Sequence, residues 1–465
     1  MKTGKNDQKP EFMDDHKELK DSFLEALTKT TRKNSKIKSD LYTHYNVKRG
    51  LRNADGTGVL VGLTEIGDVH GYIIDEGEKI PVLGRLSYRG IDVNDLVAGY
   101  QKEKRFGFEE TAFLLLFGQL PTKIELENFN AMLGRNRSLP EGFTENRILK
   151  APSNNIMNKL AGSVLIAYSY DKKPEDRMLK NVLRQCIGLI AKFPTMAAYA
   201  YQAKNHYYSK KSLFIHHPVP ELSTAENFLR MTRSDKKYTK TEAEILDLCL
   251  VLHAEHGGGN NSTFTTHVVT SADTDVYSAV AAAIGALKGS KHGGANIRVV
   301  KMMQNIKENI KNYENESEIA DYLTKIIKRQ AYDKTGLIYG IGHAVYTLSD
   351  PRAVLLKKKA EKLAKEKGMV DELGLYKTIE RLAPEVFKKT KGLDKTISAN
   401  VDFYSGFVYT MLGIPEELYT PLFAIARIAG WSAHIIEERV SGGKINRPAC
   451  KNVASPKRYI SLSRR

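Results

Sequence analysis

The chain has 465 residues, and 71 Lys and Arg against 54 Asp and Glu leave a formal net charge of +17. Hydrophobic residues make up 42% of it, enough for sizeable cores, which excludes a wholly disordered protein; at roughly 100–200 residues per domain the length allows two to four domains. No uncharged apolar run approaches the ~18–20 residues of a membrane span, because Val276–Leu287 is short and holds Tyr277 and Ser278. The opening MKTGKNDQKPEFMDDHKELK has no apolar h-region and is rich in acidic residues, which argues against a secretory or mitochondrial leader. The three cysteines Cys186, Cys249 and Cys450 cannot all pair, and none lies in a C-x-x-C. Cys186 and Cys249 sit among apolar residues and read as buried hydrophobes, so a reducing cytoplasm fits best. The positive charge attracts polyanions, whether nucleic acid or phosphate-bearing cofactors.

In chain order, residues 1–40 are charged and polar, with Leu19, Phe23 and Leu27 at helical spacing and Leu24 beside them, which predicts a short amphipathic helix. Residues 56–93 are β-branched and punctuated by glycine; they predict a few short strands or hairpins, the one sheet in the protein. From Phe108 the helical period dominates. FEETAFLLLFGQLPT predicts a buried helix stopped by Gly118 and Pro121. Further helical stretches cover 156–205, 223–233, 241–255, 275–287, 297–312, 316–330, 351–367, 371–388 and 415–440. In the 351–367 stretch, Asp350 is the N-cap, Pro351 takes the first position and Gly368 closes the helix, which places Arg352 in the first turn at the helix mouth. KKKAEKLAKEKG over 357–368 alternates Lys with Glu and reads as a solvated face. After Glu438 eight basic residues and no acidic one remain, an anion-facing or partner-facing tail. The strand–helix alternation of a parallel-sheet protein is missing, so the fold class is mainly α with a small β appendage.

Polar residues occupy unusual settings in four places. LVLHAEHGGGNNSTF puts His253 and His256 one turn apart at a helix end; the pair suits a metal, an anionic ligand or simple helix capping, but no third metal ligand is evident. ALKGSKHGGAN flanks His292 with glycines, which permits close approach of a ligand; it lacks the spacing of a phosphate-binding loop. YGIGHAVYTLSDPRA holds His343 in a glycine-bounded loop with Arg352 nine residues on, a pair able to polarise a carbonyl and grip a carboxylate. SANVDFYSGF sets Asp402 between Val401 and Phe403, where burial raises a carboxyl pKa toward that of a useful base; Arg427 lies inside the apolar run LFAIARIAGW and needs an anion beside it. Taken singly, each residue has a structural reading at least as good. Together they are what a carbon–carbon condensation requires.

HAEHGGGNNSTFTTHVV, YSAVAAAIGALKGSKHGGAN, GIGHAVYTLSDPRA and NVDFYSGFVYTMLGIPEELYTPLFAIARIAGW resemble the citrate synthase family, in its order and spacing, as do LSYRGIDVNDL and FEETAFLLLFGQLPT upstream. The resemblance runs from about Gly58 to about Pro448. It implies a helical homodimer with a large domain (residues 51–296 and 401–465), a small domain over 297–400 and an N-terminal extension over 1–50. It implies condensation of acetyl-CoA with oxaloacetate and hydrolysis of the thioester to citrate and CoA, without metal or other cofactor, nucleic acid or membrane. By the same resemblance Asp402 is the base, His292 the enol-oxygen donor and His343 the group that polarises the ketone. His256, Arg352 and Arg427 bind oxaloacetate, and Arg447 arrives across the dimer interface. Where many bacterial relatives carry Arg and Lys after the GH of this loop, this chain has Ala344 and Thr347, so the cations that hold the CoA phosphates are not read from it. 2-Methylcitrate synthase, which takes propionyl-CoA, shares these motifs. Two readings from other classes compete: a basic nucleic-acid-binding protein, for which no binding motif is present, and a histidine-site metalloenzyme.

Overall fold

A computed structural model describes residues 21–392 and 397–464, so the expected contribution of Leu19 and the terminal Arg465 lie outside the described residues. The chain divides into two compact units, one ending at Gly62 and one from Leu63 onward. The first holds α1 (Asp21–Ser35) and α2 (Ser39–His44). The expected helix is therefore present as α1, and Phe23, Leu24 and Leu27 are exposed along it.

The second unit begins with β1 (Gly67–Asp75), β2 (Glu78–Tyr88) and β3 (Ile91–Asp92), an antiparallel sheet in the order β1-β2-β3 and the one sheet among the described residues. Next come helices α3 (Val93–Lys102), α4 (Phe108–Phe117), α5 (Lys123–Asn136), α6 (Ile156–Ala167), α7 (Leu179–Ser209), α8 (Thr224–Thr232), α9 (Lys240–His253), α10 (Asn261–Thr270) and α11 (Val276–Lys288). After them stand α12 (Ala295–Asn309), α13 (Glu316–Ile327), α14 (Pro351–Lys367), α15 (Val370–Lys391), α16 (Val401–Met411) and α17 (Tyr419–Ser441). No helix among the described residues is long and apolar enough to cross a membrane. The 156–205 stretch is two helices, because the turn-rich SYDKKPEDR segment ends α6 before α7 begins at Leu179.

Local chemistry explains the boundaries. Thr122, Ser223 and Thr239 each form a reciprocal capping box with the glutamate three residues on, which starts α5, α8 and α9. Asp350 caps α14, Pro351 opens it and Gly368 closes it in the left-handed conformation, as the sequence predicts. Lys358 and the 365–367 stretch lie exposed on the face away from Leu356, Ala360, Leu363 and Ala364. Cys186 and Cys249 are buried free thiols.

Helix α17 and the β1–β2 hairpin position the polar cluster. Every residue of α17 from Tyr419 to Ile436 is buried, as expected of a helix enclosed by neighbours, here α4, α7, α9, α10 and α11. The hairpin leans on the segment from His343 to Asp350. Gly84 donates its N–H to Ser349 Oγ at 3.2 Å, and the Tyr346 hydroxyl donates to the Arg85 carbonyl at 3.3 Å. A Cβ on Gly84 would press into the Ser349 carbonyl oxygen and stand 2.7 Å from the Tyr346 ring; one on Gly71 would stand 2.7 Å from the Val345 carbonyl oxygen. Gly84→Ala is therefore expected to cost about 1–3 kcal/mol, as other small-to-large changes in packed contacts do, visible as a lower denaturant midpoint; an unchanged midpoint contradicts this packing.

Candidate active site

Arg427 sits midway along α17 with no solvent exposure. Its Nε donates to the His253 carbonyl at 2.7 Å, while Nη1 and Nη2 are buried with no hydrogen-bond partner among the described residues. Its guanidinium carbon lies 4.8 Å over the Phe423 ring. Burial lowers its pKa to about 10 against the opposing pull of Glu255. The guanidinium is still charged at neutral pH and offers two uncommitted nitrogens, as a receptor for a carboxylate does.

A second arginine is handled differently. Asp350 Oδ1 accepts from Arg352 N and Nε at 3.0 Å each, and Oδ2 accepts from Arg352 Nη2 at 2.8 Å and Val401 N at 3.1 Å. One buried carboxylate thus caps α14, grips Arg352 and ties down the first turn of α16. Arg352 lies at the helix mouth as expected, but it is buried at 3% exposure and is not a surface residue. Burial would lower its pKa, yet the Asp350 carboxylate outweighs this and raises it. Asp402, one residue beyond Val401, has a different environment. It is half-buried, and its carboxylate accepts no hydrogen bond among the described residues. Burial raises its pKa to about 6, against the lowering effect of Arg352. Asn400 sets its position. The Asn400 Oδ1 accepts the Asp402 N–H at 3.0 Å, and Nδ2 donates to the Gly342 carbonyl at 2.9 Å, next to His343.

Burial holds His253, His256 and His292 below the usual imidazole range, and backbone donors face His343 and His292. Val345 N and Tyr346 N both donate to His343 Nδ1, at 3.1 and 3.2 Å, so its proton is on Nε2. Ser262 N donates to His292 Nε2 at 3.3 Å and Ser262 Oγ lies 3.0 Å from the same nitrogen; with Nε2 accepting, the proton is on Nδ1, and Trp431 Nε1 donates to Ser262 Oγ at 3.1 Å. Burial, with Arg427 second, lowers the His292 pKa to about 4. Burial and the Arg352 charge hold His256 well below the usual range, and its Nε2 is buried without a partner. Its ring meets those of His343 and Tyr346 edge-on at 5.3 and 5.6 Å. His253 stacks on Phe423 at 4.5 Å, and both its ring nitrogens lack partners, so neither His253 nor His256 caps the helix carbonyls. The His253 carbonyl is capped instead by Arg427.

The site therefore presents two buried cations, neutral imidazole donors and one free carboxylate with a pKa near 6. Such a site binds a dianion, removes a carbon-bound proton and hydrogen-bonds the oxygen on which charge develops. The family model described as "Citrate synthase, C-terminal domain" matches residues 53–449. The chain belongs to the citrate synthase family. It is 36% identical over 366 residues to a citrate synthase of Synechocystis sp., covering 78% of this chain and 84% of that one. It is 31% identical over 389 residues to a 2-methylcitrate synthase of Shewanella oneidensis, covering 82% and 92%. Among solved structures, the citrate synthase of Thermoplasma acidophilum in ternary complex with carboxymethyl coenzyme A and oxaloacetate superposes with a TM-score of 0.72 at 26% identity, covering 90% of this chain and 99% of that one.

Six of the seven site residues expected for a citrate synthase, His256, His292, His343, Arg352, Asp402 and Arg427, are linked here by ring contacts and mutual electrostatics. Arg447 is not among them: it is exposed on the segment after α17. Sequence reasoning misses the residues that hold the others. Asp350 is legible only as a cap, and Asn400 is an N-cap type before an apolar run, the one signal that could have found it. Phe423, Tyr346, Ser262 and Trp431 give no sequence signal beyond their place in the motifs.

The raised pKa of Asp402 predicts a pH dependence. Its folded pKa is raised, so it takes up its proton at a higher pH than an ordinary aspartate and ceases to be a base as pH falls through about 6. The expected result is an acid limb in the kcat/KM profile with an apparent pKa near 6; a profile flat down to about pH 5 contradicts this assignment.

Proposed function

We propose that the chain condenses acetyl-CoA with oxaloacetate and hydrolyses the resulting citryl-CoA to citrate and CoA. The observation that carries this reading is the pair of uncommitted Arg427 nitrogens beside neutral histidines and a free, raised-pKa Asp402. Asp402 takes a proton from the acetyl methyl group. A carboxylate is too weak a base for that α-proton alone, and the His292 Nδ1–H stabilises the enol oxygen in the same step. The enol carbon then bonds to the ketone carbon of oxaloacetate, while His343 Nε2–H polarises the ketone and supplies the proton its oxygen acquires. Water cleaves the C–S bond and frees CoA. Arg427, Arg352 and His256 hold the two carboxylates.

None of these steps calls for a metal or another cofactor. The working form is a homodimer in which Arg447 of the partner subunit completes the oxaloacetate site; the exposed position of Arg447 outside this chain's own cluster supports that arrangement. The 297–400 domain closes over the substrates and excludes water until hydrolysis. Buried free thiols fit a reducing cytoplasm. Propionyl-CoA is the second acyl donor to consider, because a 2-methylcitrate synthase is among the relatives, and one methylene is worth only about 1–3 kcal/mol of discrimination.

Thiol release measured with both substrates tests the reading. CoA is expected only when oxaloacetate and an acyl-CoA are both present, with kcat/KM higher for acetyl-CoA than for propionyl-CoA. Asp402→Asn is expected to lower kcat by about 10²–10⁴-fold, the usual contribution of a positioned base. CoA release without oxaloacetate, or full activity in Asp402→Asn, sinks the assignment; a preference for propionyl-CoA moves it to 2-methylcitrate synthesis.

A further inference from the structure

From Glu255 a line of titratable groups runs between α17 and α10. His434, fully buried on α17, places Nε2 3.2 Å from Glu255 Oε1, within ion-pair distance though poorly aligned for a hydrogen bond. Its Nδ1 lies 2.9 Å from Nε2 of His267 on α10. His267 Nδ1 in turn lies 3.2 Å from Glu438 Oε2. Glu437 flanks the two rings: its Oε1 accepts the Glu65 N–H at 2.8 Å, and its Oε2 is buried without a hydrogen-bond partner, 3.7 Å from His434 Nδ1.

With both imidazoles neutral, two ring lone pairs are left facing each other. A bare ring nitrogen facing a carboxylate oxygen at 3.2 Å is repulsive, so each histidine puts its proton on the nitrogen that faces its glutamate. His434 is then protonated on Nε2 and His267 on Nδ1. The two nitrogens that face each other at 2.9 Å are both lone pairs. Three carboxylates, Glu255, Glu437 and Glu438, surround the pair.

We propose that His267 Nε2, His434 Nδ1 and Glu437 Oε2 bind a divalent transition-metal cation. The three ligand atoms lie within 4.8 Å of one another. Two nitrogens 2.9 Å apart, each about 2.0–2.1 Å from one ion, subtend roughly a right angle at it, the angle between adjacent ligands of an octahedral site. Two imidazoles and a carboxylate are a common ligand set for such ions. Glu438 and Glu255 supply the outer carboxylates that orient metal-bound imidazoles. The site shares no ligand with the reacting groups; it ties the last turns of α17 to α10 and to Glu255, the residue before His256. His253 and His256, a metal pair on spacing alone, are not part of a three-ligand group among the described residues.

Zinc is the probe. The full-length protein is incubated with zinc chloride, passed through a desalting column and analysed for bound metal, and zinc affinity is measured against a competing chelator. About one zinc per chain is expected in the unaltered protein and in His256→Ala, which removes an active-site imidazole. His267→Ala is expected to abolish retention. Glu437→Gln, which can still accept the Glu65 N–H, keeps the fold but loses the third ligand, and Glu438→Gln is expected to weaken affinity by about 10–100-fold. Retention of no zinc by the unaltered protein overturns the proposal, as does retention undiminished in both His267→Ala and Glu437→Gln. Loss confined to His256→Ala assigns the metal to the catalytic cluster and also overturns it.

Discussion

A buried guanidinium with two unsatisfied nitrogens is costly, and the site is arranged around it. Leaving Arg427 uncompensated in the core costs several kcal/mol by the usual measure of unpaired buried charge. The enclosing α17 tolerates it because Nε is committed to the His253 carbonyl and the cation rests over Phe423. In the proposed function the remaining deficit is recovered when a substrate carboxylate arrives. Substrate binding and relief of this deficit are then one event, so a site of this kind selects anions strongly without a large polar surface. The same charge acts on its surroundings. After burial it is the main influence that depresses His292, while burial and Arg352 depress His256, so that both are neutral at physiological pH.

The two aspartates show how environment divides labour between like groups. Asp350 is saturated by four N–H donors and is a structural anion. Asp402 shares the neighbourhood but accepts none of those bonds, and burial leaves it poised near pH 6. Asp350 occupies Arg352, whose pull on Asp402 is outweighed by burial, so the proposed base keeps a raised pKa. Asn400 adds mechanical coupling, since the same side chain holds the Asp402 N–H and the carbonyl beside His343. Asp402 and the His343 loop are thus fixed to one another across 58 residues of intervening chain.

Much of this architecture is legible in the sequence, and the limits are physical. Caps and periodicity mark α14 to the residue, because Asp, Pro and Gly act locally. Helix α10 escapes such reading: NSTFTTHVVT is rich in β-branched residues, and its helix is held by tertiary packing against α11 and α17. The motif residues His256, His292, His343, Arg352, Asp402 and Arg427 are readable because unusual polar residues stand in apolar or glycine-rich settings. Their supporting contacts are not, because pairs such as Trp431 with Ser262 or His434 with His267 lie more than 160 residues apart. Nothing local distinguishes such residues from ordinary core. The net charge of +17 narrows in the same way: two buried arginines form the proposed anion site, and most other basic residues among the described ones are exposed.

If the unsatisfied Arg427 nitrogens are the receptor for a dicarboxylate, the protein binds oxaloacetate without CoA, and calorimetric titration measures this. Saturable binding is predicted, with affinity falling at least about tenfold in a folded Arg427→Gln variant, since charged hydrogen bonds are worth about 1.5–3 kcal/mol each. Equal affinity in the two proteins would contradict that role for Arg427.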